Sequence, residues 1–217
     1  MSQLSAERFF DLSTYEHADL FSKKDFVWDA LSNIEPYIKT KALGQIKSFI
    51  PQGVYLLNPE SIFIDEGCLI EPTAYICGPC YIGKNCQIRH ASYLRGNIIV
   101  GDYCVIGHCS EIKNSIFLDR SQAAHFAYVG DSILGNRVNL GAGTRCANLR
   151  LDNSNITVRF DGQRYQTNRR KLGAIIADDV QIGCNSVGNP GALLLKGTHV
   201  YPGTVFASSS QKQASAI

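Results

Sequence analysis

Arg95 and Lys113 stand 18 residues apart, and each directly follows an aliphatic residue, Leu94 or Ile112. His90 and His108 are also 18 apart, and His125 follows 17 residues later. Two cations held on one edge of a fold repel each other unless an anion lies between or beside them. The first pair therefore suits a phosphate clamp, although a solvated basic edge would look the same, and Arg89 occupies a similar slot without an obvious role. A histidine titrating near neutrality could take a proton from a substrate. Tyr128, Asn139, Asn148 and the run Asn168-Arg169-Arg170-Lys171 could reach the same level. Cations, amides and one imidazole together suit proton abstraction from a phosphorylated compound.

These residues need a scaffold with a fixed repeat, and the chain contains one. Reading every sixth residue from Ile64 gives Ile70, Ile76, Ile82, Ile88, Leu94, Val100, Ile106, Ile112 and Leu118, all aliphatic. Four residues after each lies a mostly small one, among them Cys68, Ala74, Cys80, Cys86, Ser92, Cys104 and Ser110. A period of six fits neither a helix nor an alternating strand. It is the hexapeptide pattern of a parallel β-helix, in which three hexads make one triangular coil. Residues 18 apart then stack about 4.8 Å from each other.

The period returns at Leu134, Leu140 and Cys146, and again at Ile176, Ile182, Gly188, Leu194, Val200 and Phe206. Between Leu118 and Leu134 it loses two residues, with Ala124 and Val129 as the expected core positions. The slip is expected to move His125 off the ladder above His90 and His108. A fold that breaks its own rule does so most often at a functional site. A larger interruption, about 149–171, contains N-I-T-V-R-F-D-G-Q-R-Y-Q-T, which reads as a β-hairpin turning at Asp161-Gly162.

The expected organisation is an N-terminal helical cap over the first coil at 1–48, a β-helix at 49–207 and a disordered tail at 208–217. In the cap, Val27, Leu31, Ile34 and Ile38 are spaced like one helix face, with Pro36 as a kink. The chain has 217 residues and a net charge of +2, which gives no reason to expect nucleic acid. No stretch is long and apolar enough for a membrane span, and the N-terminus lacks a signal-like run. A cytoplasmic setting with its eight cysteines reduced is therefore expected. Cys77-Gly-Pro-Cys80 reads as packing rather than redox chemistry, because Cys80 falls in the small slot of the repeat.

The stretch E-I-K-N-S-I-F-L-D-R-S-Q-A-A-H-F-A-Y-V-G-D-S-I-L-G-N-R-V-N-L-G-A-G-T-R-C-A-N-L resembles the acetyltransferase domain of bifunctional UDP-N-acetylglucosamine pyrophosphorylase/glucosamine-1-phosphate N-acetyltransferases. The segment A-N-L-R-L-D…R-R-K-L-G-A, hairpin included, is still more similar to the C-terminal domains of archaeal-type sugar-1-phosphate nucleotidylyltransferases. The resemblance covers roughly 55–207. It implies a left-handed β-helix, a homotrimer with active sites between subunits, and acetyl-CoA as co-substrate without a metal.

Carried over position by position, it makes His125 the base for the sugar amine and Asn148 the residue that orients the amine or acetyl group. Arg95, Lys113, Tyr128, Asn139 and Lys171 become ligands of the sugar phosphate. Ala142, Cys184 and Pro202 fall at coenzyme positions, with an N–H at Ala142 facing the thioester carbonyl. Cys184 and Pro202 depart from the small residues usual there. No counterpart of the nucleotidyltransferase domain, with its Gly-rich loop, precedes the repeat, and no basic arm follows Phe206. Uridylyl transfer is therefore not expected.

The favoured expectation is an N-acetyltransferase for a hexosamine 1-phosphate, glucosamine 1-phosphate first, feeding UDP-N-acetylglucosamine synthesis. One alternative is a non-catalytic trimer that binds sugar nucleotides or partners a separate nucleotidyltransferase. The other is a metal hydratase like the γ-class carbonic anhydrases, with His90, His108 and His125 as Zn²⁺ ligands. That class also pairs histidines about five residues apart, whereas the residue five before His125 is Arg120.

Overall fold

The computed structural model describes residues 4–41 and 43–208. The repeat winds into a left-handed parallel β-helix whose three faces are sheets of eight, seven and seven strands. The A face runs from Ile62–Ile64 to Ala192–Leu194, the C face from Leu69–Ile70 to His199–Val200, and the B face from Tyr55–Leu57 to Val205–Phe206. Each coil visits A, C and B in turn.

The six-residue ladder fills the interior. Ile64, Ile70, Ile76, Ile82, Ile88, Leu94, Val100, Ile106 and Ile112 are buried in one core cluster. Cys80, Cys86 and Cys104 are buried among them. The Cys86 thiol donates to the Gly101 carbonyl at 3.0 Å, and the Cys104 thiol to Leu118 at 3.1 Å. All eight cysteines are free. Burial pushes the Cys80 thiol well above its ordinary range and the Cys146 thiol up to about 12, the behaviour of structural rather than reactive thiols.

The register break differs from the sequence expectation. Phe117 fills the interior where Leu118 was expected, and Ala123 where Ala124 was expected. Leu118 points instead into a second cluster outside the A face. The two shortened steps are Ile112 to Phe117 and Val129 to Leu134, and both lie at the corner between B and A faces. There Asn114 and Asp131 make tight left-handed turns, with φ of 45° and 49°.

His125 is consequently not displaced. The residue lost before Ser115 has already reset the spacing, and His125 pairs in register with His108. Gly107 permits this approach, because a Cβ there would lie 1.7 Å from the Ala124 carbonyl oxygen.

The N-terminal segment also differs from expectation. Val27, Leu31, Ile34 and Ile38 are buried as one face, on a 3-10 turn at Val27–Asn33 followed by a short helix at Ile34–Ile38. They do not sit over the first coil. The chain itself starts that coil, with Ile46 bridged to Ile64. The N-terminal segment lies along the outside of the A face: Asp178 N–H donates to the Phe9 carbonyl at 3.1 Å, and Asn136 Nδ2 to that of Asp11 at 2.9 Å. The reason is apolar surface. Phe63, Tyr81, Ile99, Ile116, Ile133, Ile175 and Leu193 point outward from successive A-face strands and must be covered.

The hairpin, Thr157–Phe160 with Gln163–Gln166, covers the rest through Ile156, Val158 and Phe160. Asp161 and Gly162, both at positive φ, form its turn. Ser208 is the last described residue, so the rest of the expected disordered tail lies outside the described residues.

Candidate active site

The two shortened corners draw a polar cluster together around Asp131. The Lys113 Nζ donates to Asp131 Oδ2 at 3.2 Å, and Asn114 Nδ2 to Oδ1 at 2.7 Å. Asn148 Nδ2 also donates to Oδ2. The Asn148 amide and the Tyr128 hydroxyl both stand over Gly130, and burial pushes the Tyr128 pKa above its usual range. Gly130 makes room for this meeting. A Cβ there would come within 2.7 Å of both the Asn148 Nδ2 and the Tyr128 hydroxyl oxygen.

Arg95 stands one coil below Lys113, since Leu94 pairs with Ile112. Its guanidinium donates to Glu111 at 2.6 Å, which raises its pKa further and fixes its direction beside Tyr128. Arg95 and Lys113, the residues expected to clamp a phosphate, thus stand on adjacent coils, each paired with a carboxylate. Lys171 leads back from the hairpin next to this cluster: it bridges to Leu149, and Leu172 N–H donates to the Asn148 carbonyl at 3.0 Å.

A second group occupies the corner between the C and B faces. Gly143 N–H donates to the His125 carbonyl at 3.0 Å, Asn185 N–H to Ala142 at 2.8 Å, and Gly203 N–H to Cys184 at 2.8 Å. His125, Ala142, Cys184 and Pro202 therefore stand on four consecutive coils in one column. His125 is exposed, and the Ala142 N–H donates to no described residue. The column offers an imidazole at its base and a backbone donor one coil, about 4.8 Å, above it.

The three-histidine site does not form within the chain. The rings of His90 and His108 stack 5.2 Å apart at 10°, and Phe126 rather than His125 packs next on His108. The Nδ1 of His90 is bonded to the Thr73 hydroxyl at 2.6 Å. Among the described residues no group of three or more His, Cys, Asp or Glu could hold a metal ion.

Asn139 stands apart from both groups. It lies on the C face, paired with Gln122 and Gln181. The two groups are also apart from each other. Residues 126–130 separate His125 from Asp131 along the B face, and at about 3.3 Å per extended residue the corners lie roughly 15 Å apart. Sequence reasoning missed Asp131, Asn114 and Gly130. A signal existed, because the 18-residue step that links Arg95 to Lys113 lands next on Asp131.

The model of the GMPPB C-terminal domain family matches residues 76–202. A bifunctional sugar-1-phosphate nucleotidylyltransferase/acetyltransferase of Sulfurisphaera tokodaii is 42% identical over 91 residues, covering 42% of this chain and 23% of that protein. The bifunctional protein GlmU of Methanococcus maripaludis is 34% identical over 164 residues, covering 76% of this chain and 39% of that protein. The chain thus spans well under half the length of these relatives. A hexapeptide transferase family protein from Anaplasma phagocytophilum superposes with a TM-score of 0.40 at 18% identity, over 74% of this chain and 82% of its own. The match extends from within the second B-face strand, Tyr75–Cys77, to Pro202 in the last corner of the His125 column, more than half of the chain, and so the chain belongs to the GMPPB C-terminal domain family.

Proposed function

We propose that the protein is an acetyl-CoA-dependent N-acetyltransferase acting on a hexosamine 1-phosphate, with glucosamine 1-phosphate the first candidate. The observation that supports this most is the column of His125, Ala142, Cys184 and Pro202 on consecutive coils. An extended coenzyme laid along that corner brings its thioester to Ala142, beside the imidazole. The His125 ring takes a proton from the 2-amine as the nitrogen attacks the thioester carbon. The Ala142 N–H donates to the developing oxyanion. The tetrahedral intermediate then collapses, the C–S bond breaks, and the proton passes from His125 to the departing thiolate.

The sugar phosphate belongs with Arg95, Lys113, Tyr128, Asn148 and Lys171. Amine and phosphate sit on adjacent ring carbons, so one sugar cannot span roughly 15 Å between the two corners of a single chain. The base of one subunit therefore works with the phosphate ligands of a neighbour, in a homotrimer whose active sites lie between subunits. Exposed Tyr55, Tyr75 and Tyr93 form a column on the B face, with ring centroids 5.9 and 5.5 Å apart, and supply a surface for such self-association. Asn139, on the C face, would reach the sugar from the subunit that supplies the base.

The test is thiol release from acetyl-CoA with a panel of hexosamine 1-phosphates and nucleotide-linked amino sugars. Release with glucosamine 1-phosphate and the acetylated amine as product is expected. No release with any amino sugar would overturn the reading.

A further inference from the structure

Arg145 stands on the B face, in register with Tyr128 one coil below and Val187 one coil above. It is exposed, while its neighbour Cys146 faces the core. The exposed side chain is nonetheless tied down. One guanidinium nitrogen, Nη1, donates to the Phe126 carbonyl at 2.8 Å and also to the Gly143 carbonyl. An arginine Nη carries two hydrogens, so a single nitrogen serves both acceptors.

The two carbonyls belong to the residues that directly follow His125 and Ala142. Those are the proposed base and the proposed oxyanion donor, one coil apart. Gly143 N–H already donates to the His125 carbonyl at 3.0 Å. With the arginine, the corner becomes a closed ring. Phe126 follows His125 in the chain, its carbonyl accepts from Arg145, the same nitrogen donates to Gly143, and Gly143 N–H returns to His125. The coil of the imidazole and the coil of the donor are thus joined by the arginine as well as by the backbone.

The neighbouring steps of the column lack this brace. From Ala142 to Cys184 and on to Pro202, the residues in the place of Arg145 are Val187 and Val205. Their side chains have nothing to donate. The corner also needs holding. Phe126 and Gly143 both have left-handed backbone, at φ 52° and 77°. Glycine adopts it freely, but a bulky side chain rarely does. Such a conformation persists where its surroundings over-determine it. Here Phe126 N–H donates to the His108 carbonyl at 2.9 Å and the Phe126 carbonyl accepts from Arg145, so both of its backbone polar groups are fixed.

We propose that Arg145 is a positioning residue for acetyl transfer. By bracing the carbonyls that follow His125 and Ala142, it holds the imidazole and the Ala142 N–H at one fixed separation. The role rests on the acetyl-transfer reading. The guanidinium itself takes no part in proton transfer. Its effect is geometric, because base and oxyanion donor must meet the same reacting centre at hydrogen-bond distance.

The experiment compares wild type with Arg145→Met and Arg145→Lys. Methionine removes every donor, whereas a lysine ammonium has hydrogens for both carbonyls. Amide hydrogen exchange read by mass spectrometry reports the brace without requiring activity. Exchange in peptides covering 125–144 is expected to quicken at least about tenfold in Arg145→Met and to return toward wild type in Arg145→Lys. Thiol release from acetyl-CoA with glucosamine 1-phosphate reports the consequence. The kcat of Arg145→Met should fall at least about tenfold, with both KM values changed by less than about threefold, and lysine should restore most of it. Thermal unfolding checks that each variant folds. Unchanged exchange or unchanged kcat in Arg145→Met would overturn the proposal. So would KM values that rise as far as kcat falls, which mark a damaged corner rather than a misplaced base. A wild type that releases no thiol with any amino sugar overturns the catalytic reading and this role with it. An active wild type with an indifferent Arg145→Met overturns this role alone.

Discussion

Lys113 and Asp131 form an ion pair at 3.2 Å across two adjacent coils, with the lysine side chain 24% exposed and the aspartate 7%. The same carboxylate also holds Asn114 and Asn148. The pair therefore does more than balance a charge. It aims a cation and an amide at one place and leaves the lysine open to a further anion.

Asp131→Ala is expected to lower stability by about 2–4 kcal/mol, because it strands a partly buried ammonium and two amides. Urea unfolding measures that. The turnover number should fall together with it, since Asn148 loses its anchor. Asp131→Asn should keep more of the stability than the alanine variant.

Gly130→Ala tests the space in which Tyr128 and Asn148 meet. The added methyl would lie within 2.7 Å of both side chains and displace them. The KM for the sugar phosphate is expected to rise at least about tenfold, with the KM for acetyl-CoA little changed. A parallel rise in both would place the defect in the fold rather than in the sugar site.

Subunit mixing tests the division of labour between corners. If the proposed trimer forms, the His125→Ala and Lys113→Ala proteins should each be nearly inactive. Random mixing of equal amounts should restore about a quarter of wild-type sites, because a neighbour then supplies what each chain lacks. Mixtures as inactive as the parents would place both residues in one subunit's site.

His17 makes stability depend on pH. It is 1% exposed among Tyr15, Tyr37 and Tyr81, and burial holds its pKa down to about 3 against an ordinary 6.5. Above pH 6.5 neither folded nor unfolded chain protonates it. Below that, the unfolded chain takes the proton first, so stability falls by about 1.4 kcal/mol per pH unit until about pH 3. Unfolding of wild type and His17→Phe across this range should show the extra slope in the wild type alone.

The β-helix was legible because its period is written in single residues: one aliphatic side chain per hexad fills an interior with no room for anything else. The covering of the A face was also written, though less plainly. Ile62-Phe63-Ile64, Ile98-Ile99-Val100 and Ile175-Ile176 are apolar on both sides of the strand, whereas Gln87, Gln122 and Asn139 mark the outward side of the C face as polar. A strand apolar on both sides needs a second layer. The break was misplaced because Leu118 and Phe117 are adjacent and both buried, in different cores. Hydrophobicity alone cannot say which of two neighbours faces inward.

The most direct measurement is steady-state thiol release from acetyl-CoA with glucosamine 1-phosphate, by wild-type protein and by His125→Ala. His125 is exposed, so the substitution removes no buried packing and the variant should fold normally. A wild-type turnover that falls by about 10²–10⁴ in the variant, with the KM for acetyl-CoA little altered, is the expected result. Unchanged turnover in His125→Ala would contradict the assignment of the base and, with it, the account of how this corner of the β-helix works.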